Sequence, residues 1–278
     1  MTKKQSKYPF ISVITPSLNQ AKFIEEAIES VLKQNYPNFE HIIVDGASTD
    51  GTLKILKRYK HLKWISEPDE SYIEAVNKGI KMSFGEIIGV LNTDDYYEPG
   101  AFHTVAKILD DSKDIFVVVG NCNIVNEKGK LIRVNKPKVK FEQMLQPWRY
   151  QFPYNASAYF YYKDIHEIIG MYNVKSGVSY DYEFLLRLAK KYKLYYVNKI
   201  LGNFRYYQGT ETFNNRENNL NDQIRIGRPY WGNIFSLSFY RYFISYLNFR
   251  FPLILQNIIA FLRKKIALRT RIRRFLSR

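Results

Sequence analysis

An α/β fold, with a mostly parallel sheet flanked by helices, is predicted by two features of the 278-residue chain. Apolar runs suited to buried strands alternate with segments of helical periodicity from residue 10 to residue 91, the pattern of βαβ units with helices on both faces of one sheet. Polar and acidic residues also gather where those runs end, the edge at which open parallel sheets bind ligands.

The elements follow in order. Phe10 to Thr15 reads as a buried strand, and the apolar pairs Phe23/Ile24, Ala27/Ile28 and Val31/Leu32 mark the helix after it. His41 to Val44 is a second strand, entering the turn Asp45-Gly46-Ala47-Ser48-Thr49-Asp50-Gly51 before a helix through Leu53, Ile55 and Leu56. Leu62 to Ser66 makes a third strand, Tyr72 to Met82 a third helix and Ile87 to Leu91 a fourth strand. Thr15–Asn19, Asp45, Glu67–Asp69 and Asp94-Asp95 then fall along one edge. Beyond Ile115–Val119, a hairpin is expected around Asn126-Glu127-Lys128-Gly129, followed by a long Pro- and Lys-containing connection from Asn135 to Gln151. Asn155 to Tyr161 reads as a strand, Tyr180 to about Lys190 as a helix with Phe184, Leu185 and Leu188 inward, and Leu194 to Val197 as a late strand.

Asp94 and Asp95 close the fourth apolar run. Paired acids on a rigid strand end suit a hard divalent cation that also takes substrate phosphate oxygens, and equally suit a helix cap or a solvated turn. Cys122 is the only cysteine, so no internal disulfide can form, and the polar start of the chain lacks the apolar core of a secretory signal. A cytoplasmic chain is the expectation.

Taken together, Ile14-Thr15-Pro16-Ser17-Leu18-Asn19, Val44 to Thr52 and Thr93-Asp94-Asp95 resemble the family 2 glycosyltransferases of GT-A fold, of the bacterial surface-polysaccharide and glycolipid type. The resemblance spans about residues 11 to 209. It implies that Pro16, Ser17 and Asn19 line a base pocket and that Asp45 accepts a hydrogen bond from a uracil ring. Asp45 as a cap of its own turn is the competing reading. The segment from Glu67 through Asn77 and Lys78 runs beside the nucleotide in such enzymes, so Lys78 would face phosphate with Asn77 beside it; a surface lysine and a helix-end amide serve equally well. By the same resemblance Asp95 ligates Mn²⁺ or Mg²⁺ bridging the diphosphate, and Asp94 contacts ribose or a metal-bound water. Asp181, at a helix start whose dipole favours an ionised carboxylate, matches the catalytic base, with Glu183 as its rival. One base and no second nucleophilic acid imply single displacement with inversion. Three positions depart from the family pattern: Leu18 where an aromatic stacks on the base, Gly46 where a second acid follows Asp45, and Gln208 where many members carry histidine.

Charge sets the C-terminus apart. The chain carries a net +16, and residues 223–278 hold twelve Lys or Arg and no acid, leaving +4 on the rest. The charge-free run Phe251–Leu262 is twelve residues, short of the roughly twenty that span a bilayer. Ile258, Ile259, Phe261, Leu262, Ile266, Leu268 and Phe275, set among Arg263-Lys264-Lys265 and Arg269 to Arg274, instead describe an interfacial helix on an anionic membrane surface. Packing on the catalytic body is the second reading and nucleic acid the least favoured. The expected organisation is a GT-A domain at 1–222, with a nucleotide-binding half at about 8–120 and an acceptor half at 121–222, and a membrane-associating tail at 223–278. The expected activity is metal-dependent, inverting transfer of a hexosyl or N-acetylhexosaminyl group from a UDP-sugar to a lipid-linked or polysaccharide acceptor, at the inner face of the cell membrane. A nucleotidyltransferase and a catalytically silent sugar-nucleotide or membrane-binding subunit are the rival readings.

Overall fold

The computed structural model describes residues 8–112, 114–151, 153, 155–214 and 216–251. The chain forms two compact units that divide between Gly227 and Arg228.

In the first unit, β1 (Ile11–Ser17), β2 (Phe39–Asp45), β3 (Leu62–Ser66) and β4 (Ile87–Val90) pair in parallel in the order β3-β2-β1-β4. Every residue of β1 and β4 is buried, as strands covered on both faces require. The covering helices are α1 (Ile24–Leu32), α2 (Thr52–Leu56) and α3 (Tyr72–Met82). Ile24, Ala27, Ile28 and Val31 form the buried stripe of α1 at helical spacing. Ser71 caps α3 by accepting a hydrogen bond from the Glu74 amide at 3.2 Å. Gly79 lets α3 approach β1 closely, because a Cβ there would sit 2.4 Å from Ile14 Cγ2.

The rest of the unit extends the same sheet. The chain passes through β5 (Tyr96–Tyr97), α4 (Ala101–Asp111), β6 (Val117–Val125), β7 (Leu131–Asn135), α5 (Phe141–Met144), β8 (Tyr159–Tyr162), α6 (Ile165–Ile169), α7 (Tyr180–Lys191), β9 (Tyr195–Arg205), α8 (Glu211–Asn214) and α9 (Arg216–Gly227). β8 pairs antiparallel with β4, and β6 antiparallel with β8. β9 runs parallel to β6, while β5 pairs antiparallel with β9. The β6–β7 hairpin turns at Asn126, whose side chain accepts from the Lys128 and Lys130 amides, with Gly129 at a φ of 77°. Phe102 of α4 and Phe160 of β8 meet edge to face at 5.9 Å in a core cluster that includes Leu109, Val118 and Leu201.

Two elements differ from expectation. Asn155–Ala158 is no strand: Asn155 caps a 3₁₀ turn at Ala156–Ala158 through the Ser157 amide, and pairing begins only at Tyr159. The late strand continues to Arg205, because Asn121 to Val125 of β6 supplies a parallel partner as far as that residue, past register shifts at Asn121. Sequence patterning also gave no sign of β5.

In the second unit, a 3₁₀ turn at Arg228–Trp231 precedes α10 (Leu237–Arg250), capped by Ser236. Trp231 is buried beside Phe239 and Tyr242. Phe235, Leu237 and Ile244 are exposed. No described helix is long and apolar enough to cross a membrane. The interfacial helix expected from Ile258 to Phe275 lies outside the described residues.

Candidate active site

The strand ends bring four groups of polar residues to one edge of the sheet. At the end of β1, Pro16 and Ser17 lie on a buried strand, and the Ser17 hydroxyl is a buried oxygen with no hydrogen-bond partner. Asn19 follows with a φ of 52°, a left-handed conformation that asparagine tolerates. Its amide donates to Ser48 Oγ at 2.7 Å and its side-chain oxygen accepts from the Thr49 amide at 2.9 Å, which ties the first strand exit to the second.

Asp45 is fully buried at the end of β2. It accepts from the Ser48 amide at 2.9 Å, Ser48 Oγ at 2.5 Å and Ser66 Oγ at 2.8 Å. Asp45 therefore does cap its own turn; a carboxylate has about four acceptor sites, so one remains for a ligand N–H. Leu18 is exposed. The space beside Gly46 is not open, since a Cβ there would meet Leu18 Cδ1 at 3.4 Å and Asp69 Oδ2 at 3.6 Å. Asp69 thus brings an acid to the neighbourhood of Gly46 from another loop.

Asn77 and Lys78 are both engaged within the protein. Asn77 donates to the Tyr172 carbonyl at 2.9 Å and accepts from the Tyr172 amide at 3.0 Å, so its amide clamps α3 to the loop before α7. Lys78 Nζ pairs with Glu67 at 2.6 Å and Asp69 at 2.9 Å, and these two carboxylates push its pKa up.

The acid pair splits into two different environments. Asp95 is fully buried and accepts from Asn92 Nδ2 at 2.9 Å, Asn155 Nδ2 at 2.7 Å and the Arg205 amide at 2.9 Å, which leaves it, like Asp45, about one acceptor site. Asp94 is only partly buried, and its carbonyl, not its carboxylate, receives Arg205 Nη1 at 2.5 Å. Burial raises the pKa of Asp94 against the opposing pull of the Arg205 charge, and burial together with the Asp94 charge raises that of Asp95. Asp95, to which the resemblance gives the metal, also fastens the acid turn to β9 through the Arg205 amide, and Asp94 beside it is the less buried of the two.

Arg205 was not visible as a site residue because its strand was expected to end at Val197. It is 3% exposed, bonds Glu26 Oε2 at 2.7 Å and lies 4.8 Å from the Phe23 ring centre. Gln208, three residues on, is exposed in the following loop.

Asp181 stands in the first turn of α7 and accepts the Tyr159 hydroxyl at 2.7 Å. Burial pushes its pKa up to about 7, although the Tyr159 and Tyr180 hydroxyls pull it down. The dipole of α7 alone implied a lower value; desolvation prevails. Glu183 is held by Arg187 through both oxygens, at 2.7 and 2.8 Å, which removes it as a rival base. The Tyr180 hydroxyl donates to Tyr72 at 3.1 Å, Tyr72 bonds Asn92 Oδ1, and Asn92 bonds Asp95, so one chain of hydrogen bonds joins the Asp181 helix to the acid pair. Tyr72, Asn92, Asn155, Tyr159 and Tyr180 carry no motif of their own, and only the tertiary structure assembles them.

Among the described residues no three His, Cys, Asp or Glu side chains converge as metal ligands. The acid pair offers carboxylate oxygens of the kind that a hard cation takes together with phosphate and water oxygens.

Known proteins share this architecture. S. aureus TarS 1-349, solved in complex with UDP-GlcNAc, superposes with a TM-score of 0.61 at 18% identity, over 88% of this chain and 73% of that one. The mannosyltransferase PcManGT of Pyrobaculum calidifontis, solved with GDP-Man and Mn²⁺, gives 0.60 at 15% identity, over 93% of this chain and 75% of that one. In sequence, an uncharacterized glycosyltransferase of Rickettsia felis is 28% identical over 225 residues, 77% of this chain and 37% of the relative, so the chain spans under two fifths of that protein. The family model for glycosyl transferase family 2 matches residues 12–167, more than half of the chain and the part that carries Asp45, the acid pair and Asn155, so the chain belongs to that family and has the GT-A fold.

Proposed function

We propose that the chain moves a sugar from a UDP-sugar to a saccharide hydroxyl with inversion at the anomeric carbon, the acceptor being a polysaccharide or a lipid-linked saccharide. The observation that carries this reading is Asp181: a carboxylate pushed to a pKa of about 7 at the start of a helix that hydrogen bonds through Tyr180, Tyr72 and Asn92 join to the acid pair. A base with a pKa near the working pH combines a useful ionised fraction with real proton affinity.

Asp181 accepts the proton of the acceptor hydroxyl as that oxygen attacks, and the Tyr159 hydroxyl orients the carboxylate. Pro16, Ser17, Asn19 and Asp45 hold the base, with the unpartnered Ser17 hydroxyl and the remaining acceptor site of Asp45 available to it. Asn77 and Lys78 act one step removed, by positioning Tyr172 and Asp69. Asp94 would hold Mn²⁺ or Mg²⁺, whose charge would stabilise the departing diphosphate. Asp95 keeps Asp94 in place. TarS and PcManGT were solved with nucleotide sugars, the second with Mn²⁺, which supports a donor and a cation of these classes here. The twelve basic and no acidic residues of 223–278 support docking at an anionic membrane, at its inner face.

The test is to incubate the purified protein with a panel of sugar nucleotides and Mn²⁺, with and without membrane lipid extract, and to measure release of nucleoside diphosphate. Release that depends on Mn²⁺ or Mg²⁺ is expected. No release from any donor overturns the reading, and release of pyrophosphate instead points to nucleotidyl transfer.

A further inference from the structure

Away from the acid edge, the segment after β7 forms one wall of a cavity of about 650 Å³, lined by Lys136, Lys138, Lys140, Gln143, Tyr196 and Asn198, with Pro137 and Val139 between the lysines. All three lysines are exposed, the lining contains no acid, and among the described residues none of the three is ion-paired to a carboxylate. The segment is held in place: the Lys136 amide donates to Gln151 Oε1 at 3.0 Å and the Lys138 amide to the Gln151 carbonyl at 2.7 Å. Alternate lysines on an extended chain are about 7 Å apart, so the wall presents a row of cations instead of a point charge. The opposite wall is neutral and polar, with the Tyr196 hydroxyl fixed by Asn121 at 2.8 Å and Asn198 bonded to the Asn121 amide at 2.9 Å.

The register of β9 places this cavity relative to the site. Tyr196 pairs opposite Val119 and Arg205 opposite Val125, six residues along β6, or about 20 Å. The cavity therefore lies toward the opposite end of β6 from the acid pair.

We infer that the groove lined by Lys136, Lys138 and Lys140 is an anchoring subsite for an acceptor glycan that carries repeated phosphate or carboxylate groups. Fixed unpaired cations in a concave site raise the local concentration of a polyanion. The neutral wall, with one tyrosine and one amide, matches sugar or polyol hydroxyls. The lining has one aromatic ring and no arginine, a poor match to the stacked platforms that hold single-stranded nucleic acid. This assignment rests on the transferase reading, since it names the acceptor class for that reaction.

Direct binding separates the two. The full chain is titrated, without donor, with a phosphate-linked polyol oligomer, a uronic-acid oligosaccharide, a neutral oligosaccharide of equal length and a single-stranded oligonucleotide. At least one anionic glycan is expected to bind, more weakly as salt is raised. The triple variant Lys136→Gln, Lys138→Gln, Lys140→Gln is expected to lose at least tenfold in that affinity, with unchanged thermal unfolding and unchanged UDP binding. Because the basic tail is intact in the variant, the loss reports on the groove alone. Which anionic probe binds tells phosphate from carboxylate as the preferred group. Equal binding by the variant, equal binding of the neutral oligomer, no binding of either anionic glycan, or a groove-dependent preference for the oligonucleotide overturns the assignment. Groove binding without nucleoside diphosphate release overturns the transferase reading instead.

Discussion

At the residue scale, Asp181 and the acid pair make separable predictions. Asp181→Asn is expected to lower kcat by about 10²- to 10⁴-fold while donor binding is kept, since it removes proton acceptance alone. In the native enzyme the base works ionised, so kcat/KM should climb with pH up to about 7 and level off above it. The same shift acts on stability. A carboxyl whose folded pKa is raised binds its proton more tightly when folded, so its ionisation destabilises the fold as pH rises from about 4 through about 7. Asp181→Asn should therefore gain in unfolding midpoint over the native chain as pH rises, and an unchanged difference from pH 4 to pH 8 counts against a buried, raised Asp181. Asp94→Ala should fold normally and lose metal-dependent donor binding, measured by calorimetry with and without Mn²⁺. Asp95→Ala leaves donors from Asn92, Asn155 and Arg205 unpaired in a buried place and should cost about 3 kcal/mol or more in urea unfolding.

At the element scale, the helix α3 against β1 decides where the donor segment lies. Gly79 is required there by proximity alone: its φ is ordinary, and the obstacle to a larger residue is the Ile14 side chain on a fully buried strand. Gly79→Ala is expected to cost about 1–3 kcal/mol by overpacking and to shift Lys78 and its partner Asp69 away from Gly46. Chemical denaturation gives the first effect and UDP titration the second. β9 matters for a different reason. It runs parallel to β6, and its last residue fastens the acid turn twice, through the Arg205 amide and its guanidinium.

At the scale of the whole molecule, the proposed site residues all lie within the unit that ends at Gly227, and α9 crosses position 222, where composition alone had suggested a boundary. A version ending at Gly227 is expected to keep metal-dependent donor hydrolysis and to lose flotation with anionic liposomes. Retained flotation would remove the membrane role from the C-terminal unit. The relatives bear on how much of a larger system this chain represents, since the Rickettsia felis protein is more than twice as long as the matched part.

The chain alone determined the parallel half of the sheet, its helices and the acids at the strand ends, because each depends on short-range periodicity and on turn residues next to one another, such as Asp45 to Gly51 and Thr93 to Asp95. The same periodicity placed Asp181 at a helix start, while its part as a base came from the family resemblance. The different surroundings of the site residues were decided by tertiary structure. Asp94 and Asp95 are neighbours in sequence, and nothing local tells the partly buried carboxylate from the fully buried one. What separates them is contact with Asn155 and Arg205, 60 and 110 residues away. The same holds for Asn77, taken up by Tyr172, for Glu183, taken up by Arg187, and for the approach of Asp69 to Gly46. Burial and hydrogen-bond saturation arise from chain segments meeting in space, and those fix which polar side chains remain free to act.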